Sequence, residues 1–197
     1  MKPSIENVVY HLSSSKTKPN KIMKEKILPF LQEKQVRTVL DYGCGKFLRD
    51  SLFLAEQGFK VDAVDLEEQV ERIDVEKVKK VNNVSTEILR NNYDAAMLNF
   101  VIQVLPTEKQ RQEVFKKVYN AIKESGYFIL SLRNSYDINK YVRPKGIPFK
   151  DGYLMKKSNT FVKAYEREEI QEMLNSLKLN IIKIHKTCDS YISISQK

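Results

Sequence analysis

Hydrophobic and polar positions along this chain alternate between two periods. Val36 to Tyr42 (VRTVLDY) is a short, β-branched run ending at Gly43, the pattern of a buried strand. Leu48, Leu52, Phe53 and Ala55 then recur at helical spacing over Leu48 to Gln57, and Gly58 stops that helix. Phe59 to Leu66 (FKVDAVDL) reads as a second strand, and the charged stretch Glu67 to Val81 predicts a helix. A weak strand is expected near Val84 to Leu89, and a clear one over Tyr93 to Val104 (YDAAMLNFVIQV), closed by Pro106. Thr107-Glu108-Lys109-Gln110 has the capping-box pattern and opens an amphipathic helix to about Glu124. Tyr127 to Arg133 is a fourth clear strand, Glu168 to Leu177 a helix, and Leu179 to Lys186 and Tyr191 to Gln196 two closing strands. Repeated strand–helix order predicts an α/β chain, a mostly parallel sheet with helices on both faces.

Composition narrows this further. The 197 residues, 42% hydrophobic and 30% charged, suit one globular domain over 1–197, with a helical cap at 1–35. A lid is expected at 134–165, where Asp151 to Tyr165 reads as a hairpin turning at Ser158-Asn159. The longest uncharged apolar stretch, Ala95 to Pro106, is too short for a membrane span of about 20 residues. No apolar core follows Lys2, so a signal peptide is not expected, and two cysteines make no disulfide framework. Both point to a reduced, cytoplasmic protein. His11, His185, Cys44 and Cys188 lack metal-ligand spacing, and the crowded Asp62, Asp65, Glu67 and Glu68 read as a solvated strand end, so no metal site is expected.

The net charge of +9 is uneven. Residues 1–38 carry eight Lys and Arg against three Asp and Glu, and residues 133–164 carry eight against two. The remainder is close to neutral, so two flanking segments hold the excess.

Ligands of such sheets bind at strand C-terminal ends. The first strand leaves through Asp41-Tyr42-Gly43-Cys44-Gly45-Lys46-Phe47. A dinucleotide GxGxxG would need glycine where Leu48 stands, and no GK[ST] follows, so neither pyrophosphate loop fits. What stands here is Asp41-x-Gly43-x-Gly45, with a second acid, Asp65, closing the next strand. A carboxylate at that strand end suits ribose hydroxyls, and an acid in the loop suits a cationic ligand. A ribose, an ammonium and a sulfonium without phosphate describe S-adenosyl-L-methionine.

At these residues the chain resembles the class I S-adenosylmethionine-dependent methyltransferases, over roughly 36–197. VLDYGCG is similar to their first motif, VDAVDL to their second-strand acid, YDAAMLNFVIQVLP to their fourth strand and ESGYFILSLRN to their fifth. The resemblance implies a Rossmann-like sheet of seven strands with an antiparallel last strand. It also implies cofactor contacts at Asp41, Gly43, Gly45, Asp65 and Asn99. Phe47 stands where the family often has a third glycine, and no acid near Ser85-Thr86-Glu87 matches the family's adenine contact.

Methyl transfer from a sulfonium asks mainly for in-line placement and exclusion of water, so no catalytic dyad is required. The fourth strand reads Asn99-Phe100-Val101-Ile102 where exocyclic-amine DNA methylases carry a proline motif, and neither cysteine follows a proline as a cytosine-C5 nucleophile would. The body is more similar to small bacterial stand-alone enzymes of the tellurite-resistance type, which implies a small-molecule acceptor, anionic if the basic flanks face it. Candidate acceptor-side residues are Tyr10, His11, Gln103, Arg133, Tyr136 and Tyr141, with His11 and Arg133 the catalytic candidates. RNA or another nucleic-acid acceptor is the alternative, and a silent cofactor-binding module the third.

Overall fold

The computed structural model describes residues 8–9, 18–19 and 21–197. The strands are β1 (Thr38–Tyr42), β2 (Lys60–Val64), β3 (Asn83–Ser85), β4 (Tyr93–Asn99), β5 (Ile122–Arg133), a lid set β6 (Gly146–Phe149), β7 (Gly152–Met155) and β8 (Phe161–Val162), then β9 (Asn180–Lys186) and β10 (Ser190–Gln196). Seven of them form one sheet in the order β3-β2-β1-β4-β5-β10-β9. β1 runs parallel to β2 and β4, β2 to β3, and β4 to β5. β10, the last strand, is antiparallel to both its neighbours, β5 and β9. The expected Rossmann-like topology is therefore present.

The apolar runs explain why both faces are covered. The helices are α1 (Leu28–Glu33), α2 (Arg49–Glu56), α3 (Glu67–Val70), α4 (Val75–Val78), α5 (Glu108–Ala121), α6 (Ser135–Asp137) and α7 (Arg167–Ser176), with a wide helical turn, Met23–Ile27, leading into α1. Leu40, Ala96, Leu98, Phe128 and Leu130 face Phe115 and Val118 of α5 and Ile170 and Leu174 of α7. Their alternates Val39, Val61, Ala95, Met97 and Ile129 face Met23, Ile27, Leu31 and Leu54 on the other side. Strand alternation thus assigns each residue to one of two cores.

Four expected elements differ. The Glu67 to Val81 helix is two short turns, because Asp74 takes the Glu76 N–H at 2.9 Å and caps α4 anew. The strand expected to reach Val104 ends at Asn99: Phe100 has φ +63°, and Ile102–Val104 coils into a tight turn that buries Ile102. β5 starts at Ile122, five residues before Tyr127, with a wide bulge against Tyr93 and Ala95 in which Ser125 has φ +64°. The weak third strand spans only Asn83–Ser85. Asp62 explains why it pairs there: the carboxylate accepts from Tyr93 (2.7 Å), Asn82 (2.6 Å) and Asn83 (3.1 Å), and pairs with Arg90 at 3.0 Å. Burial pushes that carboxyl up, but the three hydrogen bonds and Arg90 outweigh it and hold it below the usual range. Asp62 is a structural hub.

The insertion expected as a lid, 134–165, holds a three-stranded antiparallel sheet, β6-β7-β8. The turn between β7 and β8 contains Ser158-Asn159, as expected, with Asn159 at φ +51°. The preceding β6–β7 hairpin, turning at Lys150-Asp151, is an addition the alternation did not announce. The lid is tied above the ends of β4 and β5: Lys163 N–H donates to the Gln103 carbonyl (2.8 Å) and Tyr165 N–H to the Arg133 carbonyl (2.9 Å). Below it Arg111, buried, pairs with Asp151 (2.6 Å) and Glu108 (3.1 Å), while Lys163, also buried, pairs with Glu169 (2.7 Å). Val8 packs on Leu154 and Phe161, and Val9 N–H donates to the Asn159 carbonyl at 3.0 Å. Val8 and Val9 are thus the described residues of the N-terminal segment that touch this insertion.

Candidate functional site

Strand order reverses between β1 and β4, so the crevice opens at the ends of those strands. The loop leaving β1 borders it. Gly43 (φ +79°) and Gly45 (φ +65°) take left-handed conformations, and the Gly43 and Cys44 N–H groups donate to the Val64 carbonyl at 2.7 and 3.2 Å. A Cβ on Gly43 would lie 2.2 Å from Val101 Cγ2, so the turn out of β4 presses directly on this glycine. Phe47, in place of a third glycine, lies between the Lys46 and Lys77 ammonium groups, 5.0 and 5.5 Å from its ring centre. Leu48 then turns left-handed (φ +49°) and is fully buried, and α2 starts without a side-chain cap.

Four carboxylate and amide side chains converge here. Asp65 bridges the two strand exits: Oδ2 accepts the Gly45 N–H at 2.6 Å and Oδ1 the Leu66 N–H at 2.8 Å. Burial raises its carboxyl pKa, against the lowering effect of those two bonds. Asp41 is buried and accepts the Ser51 hydroxyl at 2.5 Å. Asp50, an acid that belongs to no motif of the sequence, is also buried, held by Arg49 at 2.5 Å and by Asn99 Nδ2 at 3.1 Å. Asn99 Oδ1 in turn accepts the Ser131 hydroxyl at 2.6 Å, so its amide orientation is set from both ends. The only local signal for Asp50 was its place in the first turn of α2, where an acid is common for reasons unconnected with a site.

Burial first, and the charge of Asp50 second, push the Asp41 carboxyl up to about 7. The sign follows from a folded value above the ordinary 3.8: between the two, the folded chain holds a proton that the unfolded chain has lost. This group's contribution to stability is therefore complete below about pH 4 and declines as pH rises to about 7, with a slope of at most roughly 1.4 kcal/mol per pH unit. Thermal unfolding of Asp41→Asn alongside the parent should show the parent losing ground over that window. Equal slopes in the two proteins would refute the assignment. A cationic ligand favours the ionised acid, so its affinity should rise with pH over the same window.

The other sequence candidates are dispersed. Tyr10 and His11 lie outside the described residues. Gln103 is buried, with its side chain on the Arg133 N–H (2.8 Å) and its carbonyl on the lid, so it braces the fold. Arg133, at the end of β5, is half-buried and paired through Nε and Nη2 with Asp137. Tyr136 and Tyr141 are exposed one and two turns beyond it. Burial drives the Cys44 thiol far up, which leaves it inert. Among the described residues no group of three or more His, Cys, Asp and Glu is placed to hold a metal ion, and no helix is long and apolar enough to cross a membrane.

This donor set fits the cofactor expected from sequence. Each Asp65 oxygen accepts one backbone N–H and keeps a second lone pair, two acceptors for two vicinal hydroxyls. Asp41 and Asp50 form an acidic centre, with Arg49 as counter-charge, in an otherwise basic protein, which suits a cation.

A family model described as "Methyltransferase domain" matches residues 16–184. No curated protein matches the sequence significantly. Among solved structures, a Methanosarcina mazei S-adenosylmethionine-dependent methyltransferase is similar with TM-score 0.69 at 18% identity, covering 91% of this chain and 98% of that one. The Burkholderia thailandensis 1,6-didemethyltoxoflavin N1-methyltransferase, solved with 1,6-didemethyltoxoflavin and S-adenosylhomocysteine, gives 0.68 at 16% identity, covering 90% and 78%. TehB of Haemophilus influenzae gives 0.61 at 16% identity, covering 87% of this chain and 61% of TehB.

Proposed function

Since the chain belongs to the methyltransferase-domain family, matched over most of its length, we propose that it transfers a methyl group from S-adenosylmethionine to a small-molecule acceptor. When bound, that cofactor supplies a methyl already activated on a sulfonium. The single observation that carries the cofactor reading is Asp65, whose carboxylate joins the end of β2 to the Gly45 N–H of the β1 loop at the switch point. In this reading Asp65 takes the ribose hydroxyls, Gly43 and Gly45 let the backbone pass close, and Asp41 and Asp50 face the cationic portion. Asn99, oriented by Asp50 and Ser131, flanks the methyl group. The lid, anchored on Gln103 and Arg133, excludes water and confines the acceptor.

A small acceptor is favoured by that lid, which covers the ends of β4 and β5 with 32 residues of this same chain, 134–165. The toxoflavin-type substrate in the B. thailandensis neighbour is likewise a small molecule. We read residues 1–197 as one catalytic unit on this basis. S-adenosylhomocysteine at 100 times its dissociation constant should stabilise the protein by about 2.7 kcal/mol, raising its unfolding midpoint. A labelled-methyl assay on cell extract split into small-molecule, RNA and protein fractions then reads the acceptor class. Label in the small-molecule fraction supports the proposal. Label confined to RNA replaces it with the nucleic-acid alternative, and binding without label replaces it with a silent module. A shift with NAD and none with either sulfur ligand overturns the cofactor reading itself.

A further inference from the structure

A second concavity opens beyond the end of β5, on the C-terminal edge of the sheet. Its volume is about 410 Å³, the size of small-molecule sites, and Tyr136, Asp137, Lys140, Tyr141, Cys188 and Asp189 line it. One wall is the start of the lid insertion, and the other is the turn between β9 and β10. Asn134 joins the two walls: its N–H donates to the Asp189 carbonyl (3.1 Å), its Nδ2 lies 3.4 Å from the Thr187 and Cys188 carbonyls, and its Oδ1 accepts the Asp137 N–H (3.0 Å). Asn134 is itself buried, so the cavity is built from the core outward.

Its chemistry is unusual for a surface. Tyr136 and Tyr141 are 58% and 50% exposed, and no core residue claims their rings. Lys140 lies between them, 5.3 and 5.2 Å from the two ring centres, and donates to the Tyr136 hydroxyl at 3.1 Å. No carboxylate pairs with Lys140 among the described residues. The two acids in the lining are already occupied. Asp137 is held by the Arg133 guanidinium, and Asp189 accepts the Thr187 hydroxyl at 2.7 Å and the Ser190 hydroxyl at 3.0 Å. What remains available is two aromatic faces and one cation without a counter-ion.

We propose that this cavity is the acceptor site and that it takes a planar aromatic anion, a ring bearing a carboxylate or phenolate. The rings of Tyr136 and Tyr141 stack the planar body, and Lys140 exchanges its phenol contact for the anionic group. The site begins three residues beyond Arg133, the last residue of β5, and Ser131 of that strand orients Asn99, so it opens at the same C-terminal sheet edge as the cofactor crevice. Calling the occupant a methyl acceptor rests on the methyltransferase reading above; the cavity's preference for an aromatic anion does not.

Calorimetric titration of the full chain with quinoline-2-carboxylate tests it, with quinoline as the neutral control and cyclohexanecarboxylate as the non-aromatic one. The carboxylate should bind with a dissociation constant of roughly 1 mM or tighter, and both controls about tenfold more weakly. Lys140→Met should erase the preference for the anion over quinoline. Tyr141→Leu should erase the preference for the aromatic over the aliphatic carboxylate. S-adenosylhomocysteine titrated into the same variants should bind as in the parent, which also shows that they are folded. Equal binding of quinoline and its carboxylate, unchanged preferences in the variants, or no binding of the carboxylate overturns the site. If the carboxylate binds as described while S-adenosylhomocysteine does not bind the parent, the site stands and the methyltransferase reading is what fails.

Discussion

Gly43→Ala is expected to abolish cofactor binding and to destabilise the fold by roughly 2–5 kcal/mol, the sum of left-handed backbone strain and overpacking. Both costs arise at the same atom. Gly43 has φ +79°, and the added methyl would stand 2.2 Å from Val101 Cγ2. Either the β1 loop or the turn after β4 must move, and both border the cofactor crevice. Gly58 supplies the control, since it has φ +89° but nothing within 4 Å of its would-be Cβ. Gly58→Ala should cost only about 1–2 kcal/mol and leave affinity alone. Adding Val101→Ala to Gly43→Ala should recover part of the stability, because it removes the atom that clashes. Denaturant unfolding and S-adenosylhomocysteine titration measure all three. Normal affinity in Gly43→Ala would mean the loop does not approach the cofactor.

Asp65→Ala is expected to lower cofactor affinity at least tenfold, since charge-assisted hydrogen bonds are worth about 1.5–3 kcal/mol each. It should also cost stability, because the Gly45 and Leu66 N–H groups lose the carboxylate they now donate to. Asp65→Asn separates the two effects. The amide retains one acceptor oxygen for a backbone N–H, so much of the stability should return, while the negative charge and one acceptor are still missing. A variant that loses stability but binds S-adenosylhomocysteine as the parent does would reduce Asp65 to a loop clamp. Asp65 is not a cap for α3, whose first turn takes no side-chain acceptor.

The basic residues of 134–165 differ in what they can do. Charge counting puts the excess on two segments, and of the first of these Val8 and Val9 lie on the lid. Within the lid, however, the lysines are not equivalent. Lys156 and Lys157 are exposed, whereas Lys163 is buried against Glu169 and over the Tyr165 ring at 4.4 Å. Removing Lys163 would take away a buried ammonium that holds the half-exposed Glu169, so only the exposed lysines can report on substrate steering.

The strand–helix order, the two-glycine loop at the end of β1 and the acid at the end of β2 can all be read from the residues alone. These are legible because they are local: alternation, glycine punctuation and end-of-strand acids repeat within a few residues of themselves. Family membership followed from their order. Only the tertiary structure decided the break in the helix after β2, where Asp74 out-competes continuation, and the early start of β5, which depends on a bulge against β4. It also decided which polar residues face inward. Gln103 and Lys163 look like surface groups in any window of sequence, and they are buried because the lid folds back onto the ends of β4 and β5. Asp50 joins Asp41 and Asn99 only when the start of α2 is packed against the ends of β1 and β4, a juxtaposition 49 residues long on the Asn99 side. Pairings of that separation are set by chain closure over the whole sheet, and no short-range pattern in the chain encodes them.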